Sequence, residues 1–152
     1  MRISSKADYA VRATAELANA AGGGPVKADA IARAQAIPVR FLLNILTELK
    51  HAGIVRSHRG AEGGYELARP ASKIMLADVI RAMEGPLANV HEVRPEEISY
   101  KGPAEALQQV WIAVRANLRA VLESVSLEDL AKGNLPKEVQ ALASDPEAWV
   151  PH

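Results

Sequence analysis

Apolar residues recur every three or four positions through the first third of the chain, which is the spacing of amphipathic helices. A first helix is predicted to begin at Ser5 and to end before the glycines at 22–24. Two further helices are predicted over Ala28–Gln35 and Pro38–His51, because proline suits the first turn of a helix and Gly53 suits its end. The N-terminal part is therefore predicted to contain three helices in succession.

The third predicted helix has the clearest division between an apolar and a polar face. We expect the apolar stripe to be buried; it consists of Phe41, Leu42, Ile45, Leu46 and Leu49. The opposite face is mixed and carries Val39, Arg40, Leu43, Asn44, Thr47 and Lys50. This helix is therefore predicted to pack on one side and to meet solvent or a partner on the other.

The residues after Gly53 change from the spacing of a helix to the alternation of strands. The stretches IVRSHR and GYELAR flank GAEG, so the sequence predicts a β-hairpin over Val55–Ala68. Glycines at 60, 63 and 64 permit positive φ and a close approach of the backbone to another molecule. Arg59 lies beside the predicted tip.

The second half of the chain is predicted to be helical around one long loop. A helix is predicted to begin near Ser72 or Lys73 and to end at Gly85, followed by a loop over 85–103 that contains three prolines. A long helix over 104–125 comes next, then a short helix capped by Ser126. The tail 134–152 is rich in proline and is predicted to be loosely held.

The predicted fold class is mainly α with a small β-hairpin. Short helices joined by a tight turn and followed by a glycine-tipped hairpin have the chain order of a winged helix-turn-helix. In this interpretation Pro38–His51 is the recognition helix and presents Arg40, Asn44 and Thr47 to DNA. The hairpin is the wing, and its predicted DNA contacts are Arg56, His58, Arg59, Gly60, Gly63 and Gly64.

Composition and charge agree with this interpretation. Residues 1–85 hold 12 Lys and Arg against 8 Asp and Glu, a net charge of +4, and residues 86–152 hold 6 against 10, a net charge of −4. Only the first half is therefore expected to meet a polyanion. No nucleophile–base pair, P-loop or dinucleotide motif is found, so we predict that the chain is not an enzyme. Without a signal-peptide core or a long apolar run, it is expected to be cytoplasmic.

Three stretches resemble the Rrf2 family of bacterial winged-helix transcription regulators: MRISSKADYAVRATAELA, FLLNILTELKHAGIVRSHRGAEGGYELAR and KIMLADVIRAMEGPL. The resemblance runs from Met1 to about Leu87 and resumes in the long helix. It implies a homodimer in which the long helices cross and two winged helices bind a partly palindromic operator. The residues taken as the dimer interface are Leu107, Trp111, Val114, Leu118 and Val121. The apolar stripe of the long helix independently favours a second copy.

The resemblance also implies individual DNA contacts. Arg59 would enter the minor groove, and Pro38 and Val39 would lie at the start of the recognition helix. Ser5 and Lys6 match the part of the first helix that contacts the DNA backbone in the family. The chain is thus expected to bind double-stranded DNA and to regulate transcription, specifically as a repressor.

Leu43 departs from the family pattern. Many relatives carry an acidic residue at this position, which selects cytosine, whereas leucine can only touch the methyl group of thymine. The operator is therefore expected to differ from theirs.

The loop before the long helix departs further. Many relatives hold an iron–sulfur cluster through three cysteines there, but the corresponding stretch NVHEVRPEEISYKGP has none, and the whole chain lacks cysteine. Asp8, His91 and Glu92 match the position or the region of ligands, yet oxygen and imidazole alone hold such a cluster poorly. No cofactor and no metal site are therefore expected.

The signal that switches the protein is left open by the sequence. One hypothesis is a small molecule bound near Trp111, Tyr100 or Arg12, between the loop, the first helix and the long helix. Another is control by expression or by a protein partner. The main alternative to DNA binding is a winged helix whose basic wing docks an acidic protein.

Overall fold

The computed structural model describes the whole chain, Met1–His152, as seven α-helices and one two-stranded antiparallel sheet. Short 3₁₀ turns lie at 71–73, 95–97, 102–104 and 146–149. The predicted fold class is confirmed. In chain order the elements are α1 (Ser5–Asn19), α2 (Ala28–Gln35), α3 (Val39–His51), β1 (Val55–His58), β2 (Gly64–Leu67), α4 (Leu76–Glu84), α5 (Leu107–Leu122), α6 (Leu127–Lys132) and α7 (Lys137–Ser144).

Helix α1 lies at the centre of the fold and packs against α2, α3, α4 and α6. Three of its buried residues are alanines, Ala7, Ala10 and Ala13, which allow neighbouring helices to approach closely. The helix begins where the Ser4 side chain accepts a hydrogen bond from the Ala7 amide at 3.0 Å. Because these buried side chains are small, four other helices can pack closely against α1.

A single left-handed residue makes the turn between α2 and α3. Ala36 has φ 52° and ψ 46°, and its amide donates to the carbonyl of Ala32. Ile37 is then buried, and Pro38 precedes the first turn of α3. The range predicted for α2 is confirmed, and α3 begins one residue after the predicted start, as expected where proline occupies the cap.

The hairpin is anchored to the chain that leads into α2. Strands β1 and β2 pair from Val55 with Leu67 to His58 with Gly64. Val26 adds a bridge on the other side of β2, with amide-to-carbonyl distances of 2.8 and 2.7 Å to and from Tyr65. A Cβ atom on Gly64 would lie 2.5 Å from the Val26 carbonyl oxygen, so glycine is required there. The wing is consequently fixed against the helix-turn-helix.

Helix α4 begins later than the sequence predicts. Residues Ile74 and Met75 are extended, because they pair with the chain between α5 and α6. The Leu127 amide donates to the carbonyl of Ile74 at 2.9 Å, and the Leu76 amide donates to that of Val125 at 2.9 Å. A partner about fifty residues away therefore overrides the local helical pattern.

The C-terminal half divides into a packed and an unpacked part. Helix α6 has the predicted cap, in which the Ser126 hydroxyl accepts from the Asp129 amide at 3.0 Å, and Leu127 belongs to the same core as α1. Helix α5, by contrast, has no buried residue. The tail, predicted to be loosely held and given no helix, contains α7, which also has no buried residue. None of the seven helices combines the length and the hydropathy of a membrane-spanning segment.

Candidate nucleic-acid interface

Helix α3, the predicted recognition helix, has one buried and one open face. Leu42, Leu46 and Leu49 are fully buried and Ile45 is 3% exposed, as predicted. Phe41 is 60% exposed, so its predicted burial is wrong. Successive residues are turned by about 100° around a helix, which places Phe41 beyond the edge of the buried arc and in the first turn. The burial of the leucines fixes the rotation of α3 and turns its other face outward.

The outward face of α3 contains the side chains predicted to read bases. Arg40 and Asn44 are exposed, while Val39 and Leu43 are 41% and 43% exposed. The Thr47 hydroxyl donates to the carbonyl of Leu43 at 2.9 Å, so its proton is used within the helix and its oxygen stays free to accept. The face therefore offers a cation, an amide, an acceptor and an apolar patch.

The basic side chains of the wing differ in their contacts. Arg59 lies at the exposed tip. Arg56 Nε and His58 Nε2 both lie against Glu66 Oε1, at 2.6 and 2.7 Å. The hydrogen bond with His58, and after it the one with Arg56, lowers the pKa of the Glu66 carboxyl below its ordinary value. The carboxyl group is therefore ionised at neutral pH. The predicted wing residues are thus together, but Glu66 was missed by the sequence analysis.

A cleft of about 330 Å³ separates the wing from the start of α2. Its lining includes Lys27, Ala28, His58, Arg59 and Gly60. No side chain caps the start of α2, where the Ala30 amide instead donates to the Lys27 carbonyl at 3.0 Å. Lys27 and Ala28 were not among the predicted contacts, although a lysine directly before the first helix of such a motif is a signal that was open to sequence reasoning.

The predicted contacts in α1 are divided between solvent and the protein itself. Ser5 is exposed. Lys6 Nζ lies 2.7 Å from Glu48 Oε2, and both side chains are 42% exposed. Lys6 therefore links α1 to α3, and any contact that it makes with DNA has to compete with this ion pair.

Two residues of α1 hold the turn that precedes α3. Arg12 Nη1 donates to the carbonyl oxygen of Gln35 at 2.8 Å, and Gln35 Nε2 donates to Glu16 Oε1 at 2.5 Å. The Arg12 guanidinium also lies 4.9 Å from the centre of the Tyr9 ring. Arg12 was a candidate for an effector site beside Trp111, but the structure uses it to fasten α2 to α1.

The five residues predicted at the dimer interface lie along one side of α5, and all are half-buried against their own chain. Trp111 Nε1 donates to the hydroxyl of Tyr100 at 3.1 Å, which brings together two of the three side chains proposed for the effector site. Val110 and Ile112 are 50% and 38% exposed on the other sides of the helix. The chain alone leaves this helix only partly covered.

The residues that match ligand positions or regions of the family, Asp8, His91 and Glu92, do not fit an iron–sulfur cluster. Asp8 Oδ2 lies 3.0 Å from Arg12 Nε, and His91 and Glu92 are exposed, with φ of 49° and 66°. No group of three histidine, aspartate or glutamate side chains is placed to hold a metal ion, and the chain has no cysteine to supply thiolate. The donor chemistry is therefore unsuitable for that group.

Comparison with known proteins identifies the molecules that share this architecture. The family model Rrf2, described as an iron-dependent transcriptional regulator, matches residues 3–133. A Mycobacterium tuberculosis protein named as an HTH-type transcriptional regulator is 54% identical over 145 residues, which is 95% of this chain and 90% of that protein.

Solved structures give the same result. The structure of CymR, the global cysteine regulator of Bacillus subtilis, is 36% identical with a TM-score of 0.75 and covers 88% of this chain and 98% of its own. T. potens IscR is 33% identical with a TM-score of 0.73 and covers 92% of this chain and 91% of its own. These matches confirm the predictions of a transcription regulator and of a chain that is not an enzyme.

Proposed function

The chain belongs to the Rrf2 family of transcriptional regulators, and we propose that it is a dimeric repressor that recognises a specific operator in double-stranded DNA. The main support for the proposal is that two exposed surfaces, the outer face of α3 and the wing, belong to the same packed domain. The exposed face of α3 and the wing are both anchored to α1 and α2, so they meet DNA as one rigid unit.

In this proposal α3 lies in the major groove. Arg40 and Asn44 contact base edges or phosphates, since arginine pairs well with guanine and asparagine with adenine. Leu43, at 43% exposure, meets a thymine methyl group. Arg59 at the wing tip enters the neighbouring minor groove, where a narrow A-tract attracts a guanidinium group.

The proposed dimer follows from the exposure of apolar side chains on α5. A helix of 16 residues with no buried side chain leaves apolar area uncovered, including Val110 and Ile112. A second copy related by a two-fold axis would cover it and would place two copies of α3 at a spacing suited to successive major grooves. Where the operator overlaps a promoter, such a dimer excludes polymerase, and repression follows.

We also propose that regulation does not depend on a cluster ligated by thiolates. The absence of cysteine and the pairing of Asp8 with Arg12 support this. Purified protein is accordingly expected to lack the visible absorption of an iron–sulfur cluster after anaerobic reconstitution with iron and sulfide. A stable brown product with a defined iron content would contradict the proposal.

The test of operator recognition is a binding titration on duplexes from the region upstream of the protein's own gene, against random duplex. Arg59→Ala is expected to weaken operator binding by about 1–3 kcal/mol without a change in fold. The control is Arg94→Ala, an exposed arginine of the loop between α4 and α5. Loss of orders of magnitude in affinity between about 50 and about 200 mM salt is expected. Equal binding of upstream and random duplexes would refute operator specificity.

A further inference from the structure

Glu66 lies between two basic side chains of the wing, Arg56 and His58, and its role is not explained by DNA contacts alone. We propose that Glu66 is an acidic restraint that competes with DNA phosphates for Arg56 and His58 and so lowers the sequence-independent affinity of the wing. The inference rests on the proposed DNA-binding function and names a residue that tunes it. It follows from the register of the hairpin, the geometry of one carboxylate oxygen and the charge of the wing.

The register places the three side chains on one face. Arg56 is directly opposite Glu66 in the β1–β2 pairing, and His58 is two residues further along the same strand. Since side chains alternate between the two faces of a strand, Arg56 and His58 both point to the side on which Glu66 lies. A carboxylate at position 66 is therefore within reach of both.

The geometry uses a single oxygen. Glu66 Oε1 lies 2.6 Å from Arg56 Nε and 2.7 Å from His58 Nε2. A charged acceptor makes such hydrogen bonds short and directional, and a phosphate oxygen presents the same kind of acceptor. The lowered pKa of Glu66 agrees with a carboxylate that both neighbours stabilise in its charged form. Phosphate and Glu66 thus compete for the same donors.

The contacts are open to displacement. The side chains of Arg56, His58 and Glu66 are 60%, 43% and 28% exposed. Exposed ion pairs contribute little to the stability of a fold, so this cluster is not needed to hold the hairpin together. The strand pairing and the Val26 bridge do that. An approaching phosphate can therefore replace Glu66, at the cost of the contacts that Glu66 makes.

The charge of the wing shows the consequence. Residues 55–68 contain Arg56 and Arg59 against Glu62 and Glu66, so the hairpin is neutral when His58 is neutral. Binding that depends on phosphates alone scales with the number of cations that are free to neutralise them. With Arg56 and His58 restrained, Arg59 is the cation that the tip presents, and affinity then depends more on the residues that read bases.

The experiment compares E66Q with E62Q, which makes the same change of charge at an exposed position that forms no ion pair. Binding of the full-length protein to a random duplex is measured from about 50 to about 200 mM salt. E66Q is expected to bind about 3- to 8-fold more tightly at the lowest salt, with a log–log salt slope steeper by about one. E62Q is expected to change affinity less than about twofold.

A second background separates competition from the general effect of charge. When Arg56 and His58 are both replaced by glutamine, the gain from E66Q is expected to fall to that of E62Q, because Glu66 then has no basic neighbours to release. Equal melting temperatures would show that the variants are folded. Weaker or unchanged binding by E66Q, a gain equal to that of E62Q, or a gain that still exceeds that of E62Q without Arg56 and His58 would each overturn the proposal. Wild-type protein that binds no duplex would instead refute the proposed function.

Discussion

Helices α3 and α5 are both amphipathic, but their own chain covers them to different extents. In α3 the side chains of Leu42, Leu46 and Leu49 are fully buried, so the helix cannot rotate and its outer face is presented in one orientation. In α5 no side chain is buried, and Trp111 is only half covered. A fully covered stripe frees the opposite face for a ligand, whereas a partly covered stripe leaves apolar area for another protein chain.

The largest difference between α3 and α5 is expected in the free energy of unfolding when one leucine of each helix is replaced by alanine. Leu46→Ala removes a side chain with no exposed area and is expected to lower the free energy of unfolding by about 2–5 kcal/mol through lost burial and a cavity. Leu118→Ala, in the half-buried stripe of α5, should cost clearly less at low protein concentration. Denaturant titrations of both variants test this difference, and equal losses would contradict the contrast between the helices.

The next effect is expected on DNA binding from the exposed faces. Arg40→Ala should weaken operator binding by about 1–3 kcal/mol and change the base preference at one position. The matched change on α5, Arg119→Ala, should alter affinity by at most about a factor of two, as is usual for an exposed side chain away from the contact. A binding titration with single-base operator variants measures both. A loss of the same size for Arg119→Ala would place α5 in the DNA interface.

An effect no larger than that of Arg40→Ala on DNA binding is expected when an aromatic side chain of α5 is removed, and it concerns the association of two chains. Trp111→Ala should raise the dimer dissociation constant by about tenfold, which corresponds to about 1.4 kcal/mol, because a half-buried aromatic side chain is lost. Sedimentation velocity over a dilution series measures the dimer fraction. Phe41→Ala serves as the control, since this exposed aromatic residue lies on α3. Unchanged dimer fraction and unchanged melting temperature for Trp111→Ala would exclude this side chain from the interface.

The smallest effect is expected from the turn that orients α3. Arg12→Met keeps much of the side-chain bulk but removes the hydrogen bond to the Gln35 carbonyl, and is expected to cost about 0.5–1.5 kcal/mol of stability. Arg33→Met, at an exposed position of α2, is the control. Thermal melts of the two variants provide the measurement, and an Arg12→Met melt that matches Arg33→Met would remove Arg12 from the anchoring of the motif.

The elements that the sequence predicts well are those whose signals are local. Helix α2 has its predicted range, α3 has its predicted buried leucines, and Ser126 caps α6 as expected. Spacing, proline, glycine and a capping serine act within a few residues of one another, so they can be read without knowledge of the fold. The same locality makes the wing recognisable from its glycines.

Most of the features that the sequence missed depend on residues far apart in the chain. The late start of α4 follows from the pairing of Ile74 with Leu127, and the ion pair of Lys6 with Glu48 joins two helices. The contact of Glu66 with Arg56 is an intermediate case, because a hairpin register would have predicted it once the turn was known. Helix α7 was missed because its short apolar pattern lies in a stretch rich in proline.

By itself, the sequence predicted six of the seven helices and both strands, that a glycine-rich hairpin follows α3, and that no thiolate is present to hold a cluster. Only the tertiary structure decided which face of each helix is open and which cations are free. Helical spacing sets the angular order of side chains around a helix. Packing against the other elements sets the rotation of that helix about its own axis. Likewise, the pairing of β1 with β2 decided that Arg56 contacts the Glu66 carboxylate.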